Sequence, residues 1–128
     1  MTMDYAAAGE LLERYGRACE TRDGDAWVDL FSEHAEYHED PFEPPLVGHN
    51  ALRAYLLEAA DSTEQSEFTI ERHWVVGSMV LAIWHGSLVR RRDRARVRLA
   101  GFMTLEVGAD GRIDRFREWW HQRETPVA

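Results

Sequence analysis

Residues Ala51–Val76 read ALRAYLLEAADSTEQSEFTIERHWVV, and the fold class turns on the change of rhythm inside them. Ala51, Leu52, Tyr55, Leu56 and Ala59 recur at spacings of three and four, the period of an amphipathic helix. The polar run Asp61–Gln65 ends that pattern, and Phe68, Ile70, Trp74 and Val76 then fall on one parity, the period of a half-buried strand. Downstream the strand rhythm persists. Met79–Val89 is almost continuously apolar, Val97–Val107 alternates, and Ile113–Trp120 closes the series. The connections at Gly77-Ser78, Arg90–Ala95 and Gly108–Gly111 are short enough for hairpins, so four strands should form one antiparallel meander.

Upstream the period is helical again. Tyr5, Ala8, Leu11, Leu12, Tyr15, Ala18 and Cys19 mark a helix over Asp4–Glu20. Thr21–Gly24 is a turn, and Asp25 is placed to cap a short second helix carrying Trp27, Leu30 and Phe31. Ala35–Asp40 alternates briefly as a strand and enters the proline-rich loop Pro41–Pro45, where the prolines stop it. Three helices segregated from an antiparallel sheet define an α+β fold.

The chain has 128 residues and no internal linker, which predicts a single domain over 1–128. Its formal charge of -8 works against nucleic-acid binding and against a membrane surface, since both polyanions are held by excess positive charge. No apolar run reaches the ~18 residues that span a bilayer, and the N-terminus lacks the basic and apolar regions of a signal peptide, so a cytoplasmic protein is expected. All 15 basic residues are arginine, which excludes lysine Schiff bases and a P-loop. Cys19 is the only cysteine, which excludes an internal disulfide and cysteine-rich zinc sites. A metal set is conceivable only from His38, Asp40 and His121, whose spacing matches no ligand motif, so neither metal nor cofactor is expected.

Four residues stand out as chemistry. Asp40 ends the short strand before a proline, where a partly desolvated carboxylate becomes a usable base; the other reading is an Asp-Pro turn. Alternation places His38 on the face of Asp40, with Tyr37 and Glu39 on the other, so His38 is either a second titrating group or an exposed edge residue. Tyr15 lies on the apolar stripe of the first helix, and its buried phenol either donates to a substrate oxygen or completes the core. On the last strand Phe116, Glu118 and Trp120 share a face, which makes Glu118 either a pocket acid or the partner of an arginine such as Arg72. The arginine run Arg90–Arg98 is expected to be a hairpin tip paired with the surplus carboxylates.

The stretch Leu30–Tyr55, LFSEHAEYHEDPFEPPLVGHNALRAY, together with the ending Asp110–Trp120, resembles the nuclear-transport-factor-2-like superfamily, and more narrowly its SnoaL-like and ketosteroid-isomerase-like members. That resemblance implies a cone: a curved antiparallel sheet wrapped around three N-terminal helices, enclosing an apolar pocket and pairing into homodimers through the outer sheet face. Glu39-Asp40-Pro41-Phe42 is similar to the isomerase segment that carries the general base, which implies that role for Asp40. Arg14-Tyr15 is similar to the segment that supplies the oxyanion-hole tyrosine. Phe116 and Trp120 match pocket-lining positions, and Phe42, Met103 and Trp74 complete the expected substrate-binding set. The isomerases also place a protonated aspartate on the penultimate strand, whereas Val97–Leu105 contains no acid.

The resulting expectation is a cofactor-independent acid/base enzyme of isomerase, cyclase or dehydratase type. Its partner would be an apolar carbonyl compound such as a polyketide, terpenoid or steroid-like molecule. Asp40 would be the base, Tyr15 would stabilise the enolate, and His38 or Glu118 would reprotonate or orient. The alternative is a non-catalytic domain of the same fold that binds a small ligand or dimerises.

Overall fold

The computed structural model describes residues 3–125. Helix α1 spans Tyr5–Thr21; Asp4 caps it by accepting from the Ala7 amide at 2.9 Å, and Arg22 ends it in the left-handed conformation at φ 59°. Helix α2 is Gly24–Val28, and its cap is Asp23 rather than the expected Asp25, which lies in the first turn instead. Both caps satisfy amides that a helix start leaves without partners. Helix α3, His49–Ser62, stops within the polar run as expected, and the following strand begins at once.

The strands are β1 (Phe31–His38), β2 (Leu46–Val47), β3 (Thr63–Val76), β4 (Met79–Arg90), β5 (Arg96–Val107) and β6 (Ile113–Thr125). They form one open six-stranded sheet of order β2-β1-β6-β5-β4-β3, curved around the helices. The run β3-β4-β5-β6 is the antiparallel meander that the short connections require, with Gly77 and Gly111 supplying positive φ in two of its turns. The strand before the proline loop covers Phe31–His38 rather than Ala35–Asp40, and it runs parallel to β6. That pairing joins residues some eighty positions apart, so no local turn signal announces it.

Alternation divides the meander into two faces. The rows Val80–Leu105–Phe116, Ala82–Met103–Glu118 and Trp84–Gly101–Trp120 look inward onto the helices. The rows Leu81–Thr104–Arg117, Ile83–Phe102–Trp119 and His85–Ala100–His121 look outward. A register break between Ile70 and Arg72 adds a residue to β3 and inverts its parity beyond that point. Trp74 therefore stands opposite Leu81 on the outer face, under the Arg72 guanidinium at 4.9 Å, and not in the interior as its parity with Phe68 suggests.

The core lies between the inner face and the helices. Trp27, Phe31, Phe116, Met103, Leu105 and Ile113 are all within 2% of complete burial. Each such side chain contributes about 1.5–3 kcal/mol by leaving water. Trp84 faces inward and stacks on Phe68 at 5.5 Å, whereas His85 faces outward and meets Glu71 at 2.7 Å. The arginine hairpin is paired: Arg90 holds Asp93 and Glu124, and Glu64 holds both Arg91 and Arg94.

Candidate active site

The inward row at the centre of β6 carries a carboxylate. Glu118 sits between buried Phe116 and half-buried Trp120, directly opposite Met103. Its Oε1 accepts from the Tyr37 hydroxyl at 2.8 Å. Tyr37 reaches it because β1 runs beside β6 with Tyr37 in register with Phe116, so the two rings lie parallel at 4.7 Å. Tyr15 comes from the apolar stripe of α1 and stacks on Phe116 at 5.5 Å. Tyr55 comes from α3, lies 5.3 Å from the Tyr37 ring, and donates to Glu39 Oε1 at 2.9 Å. Three phenols and two carboxylates from five segments thus converge on the open end of the core.

Burial governs their protonation. Desolvation raises the pKa of Glu118 to about 7; the Tyr37 hydrogen bond opposes that rise and the charge of Glu39 adds to it. Desolvation also holds Tyr15 and Tyr37 well above the ordinary phenol value, with the neighbouring Glu118 charge acting the same way. Both phenols are therefore hydrogen-bond donors at neutral pH. The Cys19 thiol beside them is pushed up to about 12 by burial and then by Glu118, so it stays a thiol and is no nucleophile. The buried Trp27 Nε1 has no hydrogen-bond partner among the described residues, although its ring lies 6.5 Å from that of Tyr15.

A cleft of ≈ 700 Å³ runs along β6 beside the proline loop, lined by Glu39, Asp40, Pro41, Glu118 and Trp120 together with the outward-facing Ile83, Phe102, Trp119 and His121. A separate groove of ≈ 550 Å³ between α1 and β3 contains neither of the site's carboxylates. The first cleft reaches Glu39 and Glu118, whereas Tyr15, Tyr37 and Tyr55 are not among its lining residues.

The other expected site residues are dispersed. Asp40 lies beyond β1 rather than at its end; its exposed side chain accepts from the Phe42 amide at 2.9 Å, the turn reading of an Asp-Pro pair. The buried members of β1 are Phe31, Ala35 and Tyr37; His38 is half-buried, bonded to Glu36 at 2.9 Å, and lines a cavity of ≈ 240 Å³ with Pro41, Arg117, Glu118 and Trp119. Phe42 is 92% exposed on the loop and touches no part of the core, and Trp74 is on the outer face, so neither belongs to the pocket. Phe116 and Met103 are fully buried in the core beside Glu118 and line none of the described cavities, whereas Trp120 lines the cleft. No arginine pairs with Glu118 among the described residues, and no three His, Cys, Asp or Glu side chains there are grouped to hold a metal ion.

Sequence reasoning passed over Tyr37, Tyr55 and Glu39. Tyr37 shares the parity of apolar Ala35, and Tyr55 lies on the helical stripe with Leu52 and Leu56, so both carried a burial signal. Glu39 carried none.

Residues 12–116 match the model of the SnoaL-like domain. No curated protein matches the chain. Among solved structures, the chain is similar to the epoxide hydrolase/cyclase-like enzyme SalBIII, which acts in pyran ring formation in the polyether salinomycin. The two are 20% identical over 92% of this chain and 93% of that one, with TM-score 0.82. It is similar to an LEH-like epoxide hydrolase of M. tuberculosis at 22% identity, 91% and 84% coverage and TM-score 0.76. It also resembles a protein of ketosteroid isomerase-like fold from Catenulispora acidiphila in complex with trimethylamine, at 13% identity, 86% and 84% coverage and TM-score 0.78. These similarities establish the fold.

Proposed function

Because the chain belongs to the SnoaL-like domain family, we propose that it is an acid/base enzyme of isomerase or cyclase type, acting on an apolar, carbonyl-bearing small molecule with Glu118 as the proton carrier. The observation that carries this reading is Glu118 itself. It is an inward carboxyl with a pKa near 7, fixed by Tyr37 at 2.8 Å and surrounded by phenols that remain donors. A group whose pKa matches the working pH populates both of its forms, so it can take a proton and return it.

In this mechanism ionised Glu118 removes a proton from the carbon beside the substrate carbonyl. The Tyr15 phenol donates to the oxyanion as charge develops there, in surroundings too dry to screen it. Protonated Glu118 then delivers the proton to another atom, which completes an isomerisation. The same steps taken from a hydroxyl would activate it for ring closure. Tyr37 keeps the carboxyl in one orientation throughout. The base role expected for Asp40 passes to Glu118, and Asp40 organises the loop at the rim. The outer sheet face beyond the cleft, where Trp74 stands opposite Leu81, is proposed to pair with a second copy. Sedimentation showing a dimer would support this, and a monomer at micromolar concentration would remove it.

The test of the catalytic reading is proton exchange in deuterated water at the α-carbon of planar bicyclic enones, followed by NMR. Wild type should exchange catalytically, and Glu118→Gln should lose about 100-fold or more. A Glu118→Gln variant within threefold of wild type would sink the assignment.

A further inference from the structure

The reaction as described leaves Glu39 without a task, although it is tied to the site. Resting on that reading, we propose that Glu39 is a positioning residue for the reaction: held by Tyr55 next to the Tyr37 that clamps Glu118, it keeps a negative charge by the site and so tunes how tightly Glu118 holds its proton.

The geometry is symmetrical in its logic. Tyr37 spends its one hydroxyl proton on Glu118 at 2.8 Å, and Tyr55 spends its own on Glu39 at 2.9 Å. The two rings lie 5.3 Å apart at 48° and their hydroxyls meet, so the phenol pair links the carboxylate held by one to the carboxylate held by the other. A second negative charge brought near a buried carboxyl disfavours its ionisation.

Among the described groups the one charge that acts on Glu118 is that of Glu39; Asp40 and His121 share its cleft, and His38 and Arg117 line a smaller cavity with it. The titratable groups facing Glu118 are Tyr15 and Cys19 from α1, Tyr37 from β1, Tyr55 from α3 and Glu39 from the loop after β1. From β5 the facing residue is Met103, which is apolar. The phenols and the thiol are all held neutral by burial, and no arginine or histidine is among the described groups acting on Glu118. Burial supplies the larger part of the rise at Glu118, and the Glu39 charge is the part the protein can vary. Glu39 also lines the ≈ 700 Å³ cleft, so a substrate entering there covers the tuning charge as it meets the proton carrier.

The experiment is a carboxyl carbon-13 NMR titration of glutamate-labelled protein, with the Glu118 resonance assigned by its loss in Glu118→Gln. In wild type it should titrate near pH 7. Glu39→Gln should lower that midpoint by about one pH unit, a tenfold loss of proton affinity. Glu39→Asp, which keeps the charge, should restore most of it. Tyr55→Phe frees Glu39 to turn towards water, so it should lower the midpoint by a smaller amount, and it gives the same test if Glu39→Gln does not fold. Glu36→Gln removes a carboxylate from the other face of β1 and should leave the midpoint in place. A wild-type midpoint near 7 that neither Glu39→Gln nor Tyr55→Phe moves overturns the coupling and leaves the catalytic reading standing. A wild-type Glu118 that titrates as an ordinary carboxylate overturns both.

Discussion

Asp40 and Glu118 line one cleft, yet the chain gives them opposite surroundings. Asp40 sits on an exposed loop just before Pro41, and its carboxylate is occupied in closing its own turn through the Phe42 amide. Glu118 sits mid-strand on the inner face, has apolar neighbours on its own row, and receives one directed donor from another strand. The difference shows what makes a carboxylate useful for proton transfer. A loop acid is free to hydrate, whereas a strand acid inside a cone is deprived of water by every layer that packs on it. Proximity to a cleft is common to both; desolvation with a single fixed partner belongs to Glu118 alone.

The comparison breaks most readily through the two carboxylates themselves. Glu118→Gln should cost about 100-fold or more in exchange rate, while Asp40→Asn should stay within threefold. The reverse order would return the base to the loop. Next in size is the wall behind the site. A Cβ at Gly101 would meet the Trp119 carbonyl oxygen at 2.5 Å and the Trp84 ring at 2.8 Å, so Gly101→Ala should destabilise the fold by about 2 kcal/mol in urea titrations.

A smaller effect separates the donor from the acid. Tyr37 lowers the pKa of Glu118, so Tyr37→Phe should move the acid limb of the pH–rate profile to higher pH while leaving the fold intact. A profile that keeps its midpoint would make Tyr37 a packing residue only. Smallest is the loop: Phe42 is 92% exposed, and Phe42→Ala should change both stability and rate by no more than about 0.5 kcal/mol.

Much of the architecture was legible in the sequence because it is written in local periods and turns. The helical stripes of α1 and α3, the meander β3–β6 and its glycine turns follow from side-chain spacing alone. The inward face of Phe116, Glu118 and Trp120 followed from alternation, and the burial of Tyr15 from the helical stripe of α1. What stayed hidden depends on events that spacing does not encode. The extra residue between Ile70 and Arg72 turned Trp74 outward, and the parallel pairing of β1 with β6 delivered Tyr37 to Glu118 across the fold. His38 attracted attention as a titratable side chain, but the apolar phase of its strand is Ala35 and Tyr37. The inward turn of Glu39 depends on Tyr55 of α3, a partner sixteen residues away.

The central claim, a proton retained on a desolvated Glu118, is tested most directly by equilibrium urea unfolding of wild type and Glu118→Gln from pH 4 to pH 8. In the folded chain Glu118 keeps its proton to about pH 7, and in the unfolded chain it releases it near 4.5, the ordinary glutamate value. Between those values the folded state binds more protons, so wild-type stability falls as pH rises, and the neutral glutamine escapes that loss. The two proteins should differ least at pH 4, and by pH 8 the variant should have gained about 3 kcal/mol on wild type. Parallel curves across the whole range would show that Glu118 ionises as freely in the folded chain as in water, and the account would fail.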